Sequence, residues 1–451
     1  MKKFFSTITL IMLAGLLFAQ QERNIWYFGF GAGLDFNSGA PTVLTNGALN
    51  TDEGCSSICD ANGDLLFYTD GITIWDRTHA VMLNGTGLTG DPSSTQSGII
   101  VKKPGSANLY YVFTINTDWN YSIVDMSLNN GYGGVTANKN VLIYQGFVSE
   151  KQTATYHQNG TDIWVVAHTQ NEFHAHLLSP TGLNPTPVVS VVGPVHNNLY
   201  GQMKISPQGN RIALGTYAGV TDVSLYDFDK VTGQVSNNME LTNGITQCYG
   251  LEFSPNGRWL YCSMNSAVYT ICQYDLSLTN VAAIQASQTI IGNSLAEPGG
   301  MQLGPDGKIY CTQYFNNYLG VINSPNQQGV LCDFDSAAIN LGTGSCGLGL
   351  PGMISKFGEG PSAIQEVESD MQLSCYPNPA SNQLHLSVSN KYASFDVEIC
   401  DMAGRVVSKQ TYDRSMQVID ISTLSEGIYV LSATSETARD VIRFEKVGSQ
   451  K

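Results

Sequence analysis

Three kinds of side chain in this sequence are spaced so that they could do chemistry: alternating histidines, paired aspartates, and glutamates placed before short apolar runs. His174 and His176 are two apart on a predicted strand, so they share one face, and His168 lies on the run expected to pair with it. Two such imidazoles could ligate a metal, but a third ligand depends on the hairpin register, and strand histidines without metal show the same pattern; no metal is assigned. Asp227 and Asp229 in DFDKVTG, with Asp333 and Asp335 in CDFDS, suggest calcium. Their loops lack the further oxygens of a D-x-D-x-D-G cage, and aspartate is in any case a good turn residue. Glu53 and Glu297 each precede a predicted inner strand, where two carboxylates could meet to cleave a glycosidic bond. A lone carboxylate at such a junction is otherwise a solvated turn residue. G-x-S-x-G and phosphate loops are absent, and GFGAGL from Gly29 falls in a hairpin, not at the start of a helix. No catalytic residue and no cofactor is predicted.

The second group is aromatic. Trp119 lies in the expected loop 116–120, Tyr314 and Tyr318 in the loop 313–318, and Tyr200 and Tyr249 in segments leading into inner strands. These loops emerge on one side of the expected fold. Rings there offer stacking surfaces with polar tips, and neighbouring Asn and Gln supply directed hydrogen bonds. The same rings could instead pack on adjacent loops. On the first reading Ala at Trp119, Tyr314 and Tyr318 abolishes binding without loss of stability.

The elements that position these residues follow from composition and repetition. The chain has 451 residues with 46 Gly, 22 Tyr and only 13% charged residues, a texture of short strands and many turns. Its formal charge of -15 argues against nucleic acid and anionic lipid as partners. Residues 1–20 read as a cleaved signal peptide: Lys2 and Lys3, an uncharged apolar run to Phe18, then Ala19. No later apolar stretch approaches that length, so no transmembrane segment is expected after cleavage. Ten cysteines in an exported chain could pair; Cys262 with Cys272 and Cys332 with Cys346 are the pairs considered, although cysteine also serves as a small buried apolar residue.

A turn recurs: SPQG from Ser206, SPNG from Ser254 and GPDG from Gly304, each followed by an apolar run. Looser copies place turn glycines at Gly63, Gly105, Gly160, Gly209, Gly257 and Gly307, separated by 42, 55, 49, 48 and 50 residues. A period near 48 with about four strands per unit predicts propeller blades. Six units are complete, and NIWYFG with AGLDF makes a partial seventh. Its missing inner strand is expected from Leu350 to Phe357, alongside Asn24 to Phe28, which would close the ring. Gly54, Gly98, Gly201, Gly250 and Gly300 precede their turns by seven to nine residues, as close packing at an axis would require; Thr153 is the exception. The expectation is all-β: a seven-bladed β-propeller over 21–357, an acidic linker over 358–372, and a small immunoglobulin-like β-sandwich over 373–451.

The last segment carries a resemblance. Tyr376, Pro377, Asn378 and Pro379, then Gly404 and Arg405 in DMAGRVV, then Gly427 and Tyr429 in the ID-x-S-x-L-x-x-GIY run resemble the type A sorting domain of the type IX secretion system. The resemblance implies recognition by the outer-membrane translocon and removal by a sortase-like peptidase. It further implies release, or attachment at the cell surface on the outer membrane. The NIWYFG, GLDF and GLP elements resemble propellers of no known activity exported by the same kind of bacteria. The functional expectation is a secreted or cell-surface binding or adhesion module for a glycan or protein. The alternative is a hydrolase or lyase acting on polysaccharide or peptide at the channel mouth.

Overall fold

The computed structural model describes residues 18–197, 200–217, 223–241, 247–265, 267–354, 373–388, 394–401, 405–413, 416–435 and 439–448. Most of the expected signal peptide, the expected linker and Gly404 lie outside them. The chain divides into two units, 1–361 and 362–451, described separately below.

Among the described residues the first unit contains seven antiparallel sheets in chain order. Sheet one is Ile25–Phe28, Ala32–Asp35 and Thr42–Leu44. Sheet two is Ser56–Cys59, Leu65–Thr69 and Ile74–Asp76. The inner strands of sheets three to seven are Gly98–Lys102, Gln152–Tyr156, Met203–Ile205, Cys248–Phe253 and Pro298–Leu303. Each pairs with one neighbour, and the sheet continues outward through two or more further strands. The recurring turn accounts for the sheet period. Gly257 sits at φ +71°, where a side chain is strained, and its five counterparts have φ between +70° and +87°.

Each sheet buries its apolar face on the next. Phe67 and Ile74 meet Val112 and Val124, and Phe113 meets Val165 and Leu178. Phe173 meets Leu214 and Tyr226, Leu225 meets Leu260 and Met264, and Tyr261 meets Met301 and Ile309. Tyr310 and Leu319 of the seventh sheet pack on Trp26 and Phe28 of the first, and Tyr27 packs on Tyr68 of the second, ring centroids 4.6 Å apart. The sequence of sheets therefore closes on itself, the arrangement of a β-propeller.

The closure differs in detail from the expected strand. Residues 350–354 form no ladder with Ile25–Phe28; Pro351 makes one parallel bridge to Cys55, and residues 355–357 lie outside the described set. Proline lacks an N–H and breaks a ladder. The Tyr27 N–H, which an inner strand would have used, donates to Ser57 Oγ at 3.1 Å. Just before residues 350–354, the stretch 345–348 is tied in by isolated bonds: Phe30 and Ser345 exchange both backbone bonds, Leu348 N–H donates to the Asp52 carbonyl, and Gly300 N–H donates to the Leu348 carbonyl. A Cβ on Gly349 would stand 2.0 Å from the Glu53 carbonyl oxygen.

None of the ten cysteines is joined in a disulfide among the described residues. Cys262 and Cys272 are directly opposed across their strands, as considered. Cys332 packs between sheets six and seven, whereas Cys346 belongs to the cluster around Trp26, so that pair does not meet.

The second unit is two sheets around one core. One sheet is Ser374–Tyr376, Gln383–Ser387 and Met416–Asp420; the other is Val406–Tyr412, Phe395–Asp401, Gly427–Thr434 and Arg439–Lys446. Leu384, Leu386 and Ile419 face Val397, Ile399, Leu431 and Phe444.

Gly250 tests the axial packing. A Cβ there would lie 2.1 Å from the Gly299 carbonyl oxygen. Gly250→Ala is expected to destabilise the ring by about 1–3 kcal/mol, read as a lowered urea midpoint at unchanged slope.

Candidate functional site

The leading ends of the inner strands bring a titratable cluster to the centre of the ring. Tyr249 donates its hydroxyl to Glu53 Oε2 at 2.7 Å. The Thr95 N–H and hydroxyl both donate to Glu150 Oε2, at 2.8 and 3.0 Å. Lys151, fully buried, donates Nζ to the Tyr200 carbonyl at 2.8 Å. Tyr217 donates to Glu297 Oε1 at 3.2 Å, and its ring lies edge-on to Tyr249 at 6.2 Å. Glu53 and Glu297 are thus linked through two tyrosines. At the rim Tyr314 donates to Asp52 Oδ1 at 3.1 Å, and its backbone N–H donates to the Glu297 carbonyl.

Burial governs the acid–base character of this cluster. It pushes the Glu53 carboxyl up to about 7, against the stabilising hydroxyl of Tyr249, and raises Glu150 as well. Burial also pulls the Lys151 ammonium down to about 7, opposed by Glu150. The Tyr249 phenol is driven well above its ordinary value by burial and by the neighbouring Glu53.

The structure gathers Glu53, Glu297, Tyr200, Tyr249 and Tyr314 at this one end, but not as five exposed side chains. Tyr249 is buried, and Tyr200 is 45% exposed. Tyr318 is half-buried at the start of its strand, its hydroxyl accepting from Asn340 Nδ2. Trp119 has no place in a binding surface. It opens the strand Trp119–Asp125, is fully buried among Phe113, Val165 and Leu178, and donates Nε1 to Gln152 Oε1 at 3.1 Å. The loop spans 116–118, two residues shorter than the expected 116–120, so Trp119 belongs to the strand and its indole points into the core. Trp119→Ala should therefore cost about 3–5 kcal/mol of stability, contrary to the neutral effect expected of a surface ring; thermal denaturation decides it.

Phe315 is the aromatic residue that the sequence did not single out. It is 64% exposed, holds φ at +56°, stacks on Phe30 at 5.1 Å and 14°, and lies 4.1 Å from the Tyr314 ring. A bulky residue in that left-handed conformation is uncommon, and no sequence rule marks it.

The other candidates resolve locally. His168 stands opposite Phe173, while His174 and His176 stand opposite Ala167 and Val165, so His168 faces away from the other two. His168 instead lies 5.5 Å from His196, edge to face. Asp229 accepts from the N–H of Val231, and Asp335 from that of Ala337, both as turn caps. Burial holds the His168 imidazole well below its ordinary 6.5 and pulls His196 down to about 4, with Lys151 adding to both. The unfolded chain then binds protons that the folded chain refuses between pH 6.5 and 4. Stability present above that window is lost as pH falls through it. His196→Gln should flatten the fall, measured as the urea midpoint against pH.

In the second unit Tyr376 stacks on His385 at 5.0 Å, Asn378 Nδ2 donates to the Arg443 carbonyl, and Tyr429 donates its hydroxyl to the Ser425 carbonyl at 2.9 Å. Arg405 pairs with Asp401 at 3.0 Å, and Gly427 has φ +152°. Residues 374–444 match the family model described as the secretion system C-terminal sorting domain. The second unit is a sorting domain. It routes the chain to the cell surface or the extracellular space by type IX secretion.

No curated protein matches the chain. Among solved structures it is similar to a putative 6-phosphogluconolactonase of Bacteroides fragilis, with 12% identity over 74% of this chain and 98% of the other and a TM-score of 0.48. It is also similar to PorZ, an essential surface component of the type IX secretion system of Porphyromonas gingivalis, with 13% identity, 92% and 62% coverage and a TM-score of 0.37. The β-propeller domain of Cps50 (Swd1) from Myceliophteria thermophila gives 9% identity, 65% and 94% coverage and a TM-score of 0.40.

Proposed function

We propose that the chain is a seven-bladed propeller carried to the surface by its sorting domain, where the leading-end face binds an extracellular glycan or protein without chemistry. The observation that carries this reading is the division of that face. Its carboxylates near the centre are engaged by internal hydroxyls and amides, Glu53 by Tyr249, Glu150 by Thr95, and Glu297 by Tyr217 and Asn265. The part open to solvent is aromatic, with Phe315 and Tyr200 foremost. Exposed rings beside fixed polar groups suit capture by stacking. Translocon recognition and removal by a sortase-like peptidase within residues 358–372 belong to the same proposal, as do the signal peptide and the display or release of the product.

A second reading, hydrolysis or elimination on a polymer, is favoured by one observation: Glu53 with a carboxyl near 7 is poised for proton transfer at neutral pH. The two readings separate on a polysaccharide and peptide panel. Binding without turnover supports the module, whereas turnover lost in Glu53→Gln supports the enzyme.

Export has its own test. Deleting residues 371–451 should leave a folded ring retained in the periplasm. Appearance of the truncated chain in the medium at the level of the intact chain would overturn the routing.

A further inference from the structure

The open rim of the leading-end face sets an exposed aromatic ring beside an exposed carboxylate, and that combination narrows what it can hold. Phe315 packs on Phe30 and Tyr314, ring centroids 5.1 and 4.1 Å away, and is still 64% exposed. Asp52, exposed, is fixed by the Tyr314 hydroxyl. Burial first, then the hydrogen bond to Asp52 and the charges of Asp52, Glu53 and Glu297, raise the Tyr314 phenol, whose own backbone N–H is bonded to the Glu297 carbonyl. A separate observation concerns the group that holds Glu297 from behind. Asn265 is 2% exposed and gives its amide N–H to Glu297 Oε1, while its amide oxygen is buried with no hydrogen-bond partner. A buried acceptor left in this state is costly unless something donates to it. Among the described residues the cation of the cluster is Lys151, which is fully buried, donates to the Tyr200 carbonyl, and has Glu150 and Glu53 as charged neighbours.

Resting on the binding reading above, we infer that the leading-end rim selects an amine-bearing saccharide, whose ring packs on the exposed Phe315 while its ammonium and hydroxyls donate to Asp52 and Glu297. The physical grounds are complementary. An aromatic face attracts a cation as well as the C–H face of a sugar ring. Carboxylates accept but cannot donate, so a ligand rich in acceptors and poor in donors is disfavoured. A lysine-rich peptide offers the charge but not a ring to pack on Phe315.

The test uses the mature chain, titrated calorimetrically with a glucosamine oligomer at a pH where its amines are protonated, with its fully N-acetylated counterpart, and with an oligolysine peptide. The expected result is about tenfold tighter binding of the amine form than of the acetylated form. That ratio should fall toward one with added salt and in Asp52→Asn, an isosteric change at an exposed position. Phe315→Ala should weaken both saccharides together. Equal binding of the two saccharides would overturn the inference and leave the binding reading standing. Binding of oligolysine alone would overturn the saccharide class, and an unchanged ratio in Asp52→Asn would overturn the placement. Absence of binding by any of the three, with a glycan and protein panel also blank, would remove the binding reading itself.

Discussion

The ring depends on how closely backbone can approach backbone at its centre. Around the axis the segment leading into one sheet is bonded sideways to the segment leading into a neighbour: Gly54 to Ser94, Gln202 to Tyr249, Gly300 to Leu348, and Leu348 to Asp52. At Gly250 and Gly349 a Cβ would fall within about 2 Å of a neighbouring carbonyl oxygen, so the bonds exist only because those side chains do not. Central glutamines complete the ties. Gln202 Oε1 accepts from the N–H groups of both Leu251 and Met301, and Gln96 Oε1 accepts from Met203. Those bonds tie sheets three, five, six and seven, so backbone groups that no ladder reaches are still paired.

That crowding also sets the electrostatics. Packing so tight excludes water from the carboxylates beside the glycines, which is why Glu53 and Glu150 rise and Lys151 falls. A buried charge without partners would cost several kcal/mol or more, and each group here has a hydroxyl, amide or carbonyl directed at it. The acidic centre is therefore in large part a consequence of closing the ring. What the closing does not require is an aromatic ring held outward at the rim.

The architecture was legible because its cause is periodic. Each sheet needs the same tight turn, each turn needs a residue at positive φ, and the six glycines near a 48-residue spacing record that need directly. The glycines before the inner strands record the axial contact, and Glu53, Glu297, Tyr200 and Tyr249 were placed together because they share that register. The closing strand was misjudged because the pattern of the other inner strands was extended to a segment that departs from it. Gly347, Gly349 and Pro351 favour a coil with isolated bonds over a ladder.

The rim was harder to read because exposure there turns on single dihedral angles and offsets of one or two residues. In the loop 116–120 the sheet begins at Trp119, and alternation sends the indole inward to Gln152. In the loop 313–318 the half-buried Tyr314 and Tyr318 are both tied by their hydroxyls, and Phe315 between them is turned out by a left-handed backbone. Neither outcome is coded by residue type: tryptophan, tyrosine and phenylalanine all fit a core and all fit a platform. The strain at Phe315 distinguishes the two, since a residue in an unfavourable conformation persists only where its surroundings hold it there. Here the Phe315 N–H bond to the Cys346 carbonyl, the Phe30 ring beneath and the Tyr314 ring alongside supply that hold. The closing segment that completes the ring at its centre thus also fixes the exposed ring at its rim.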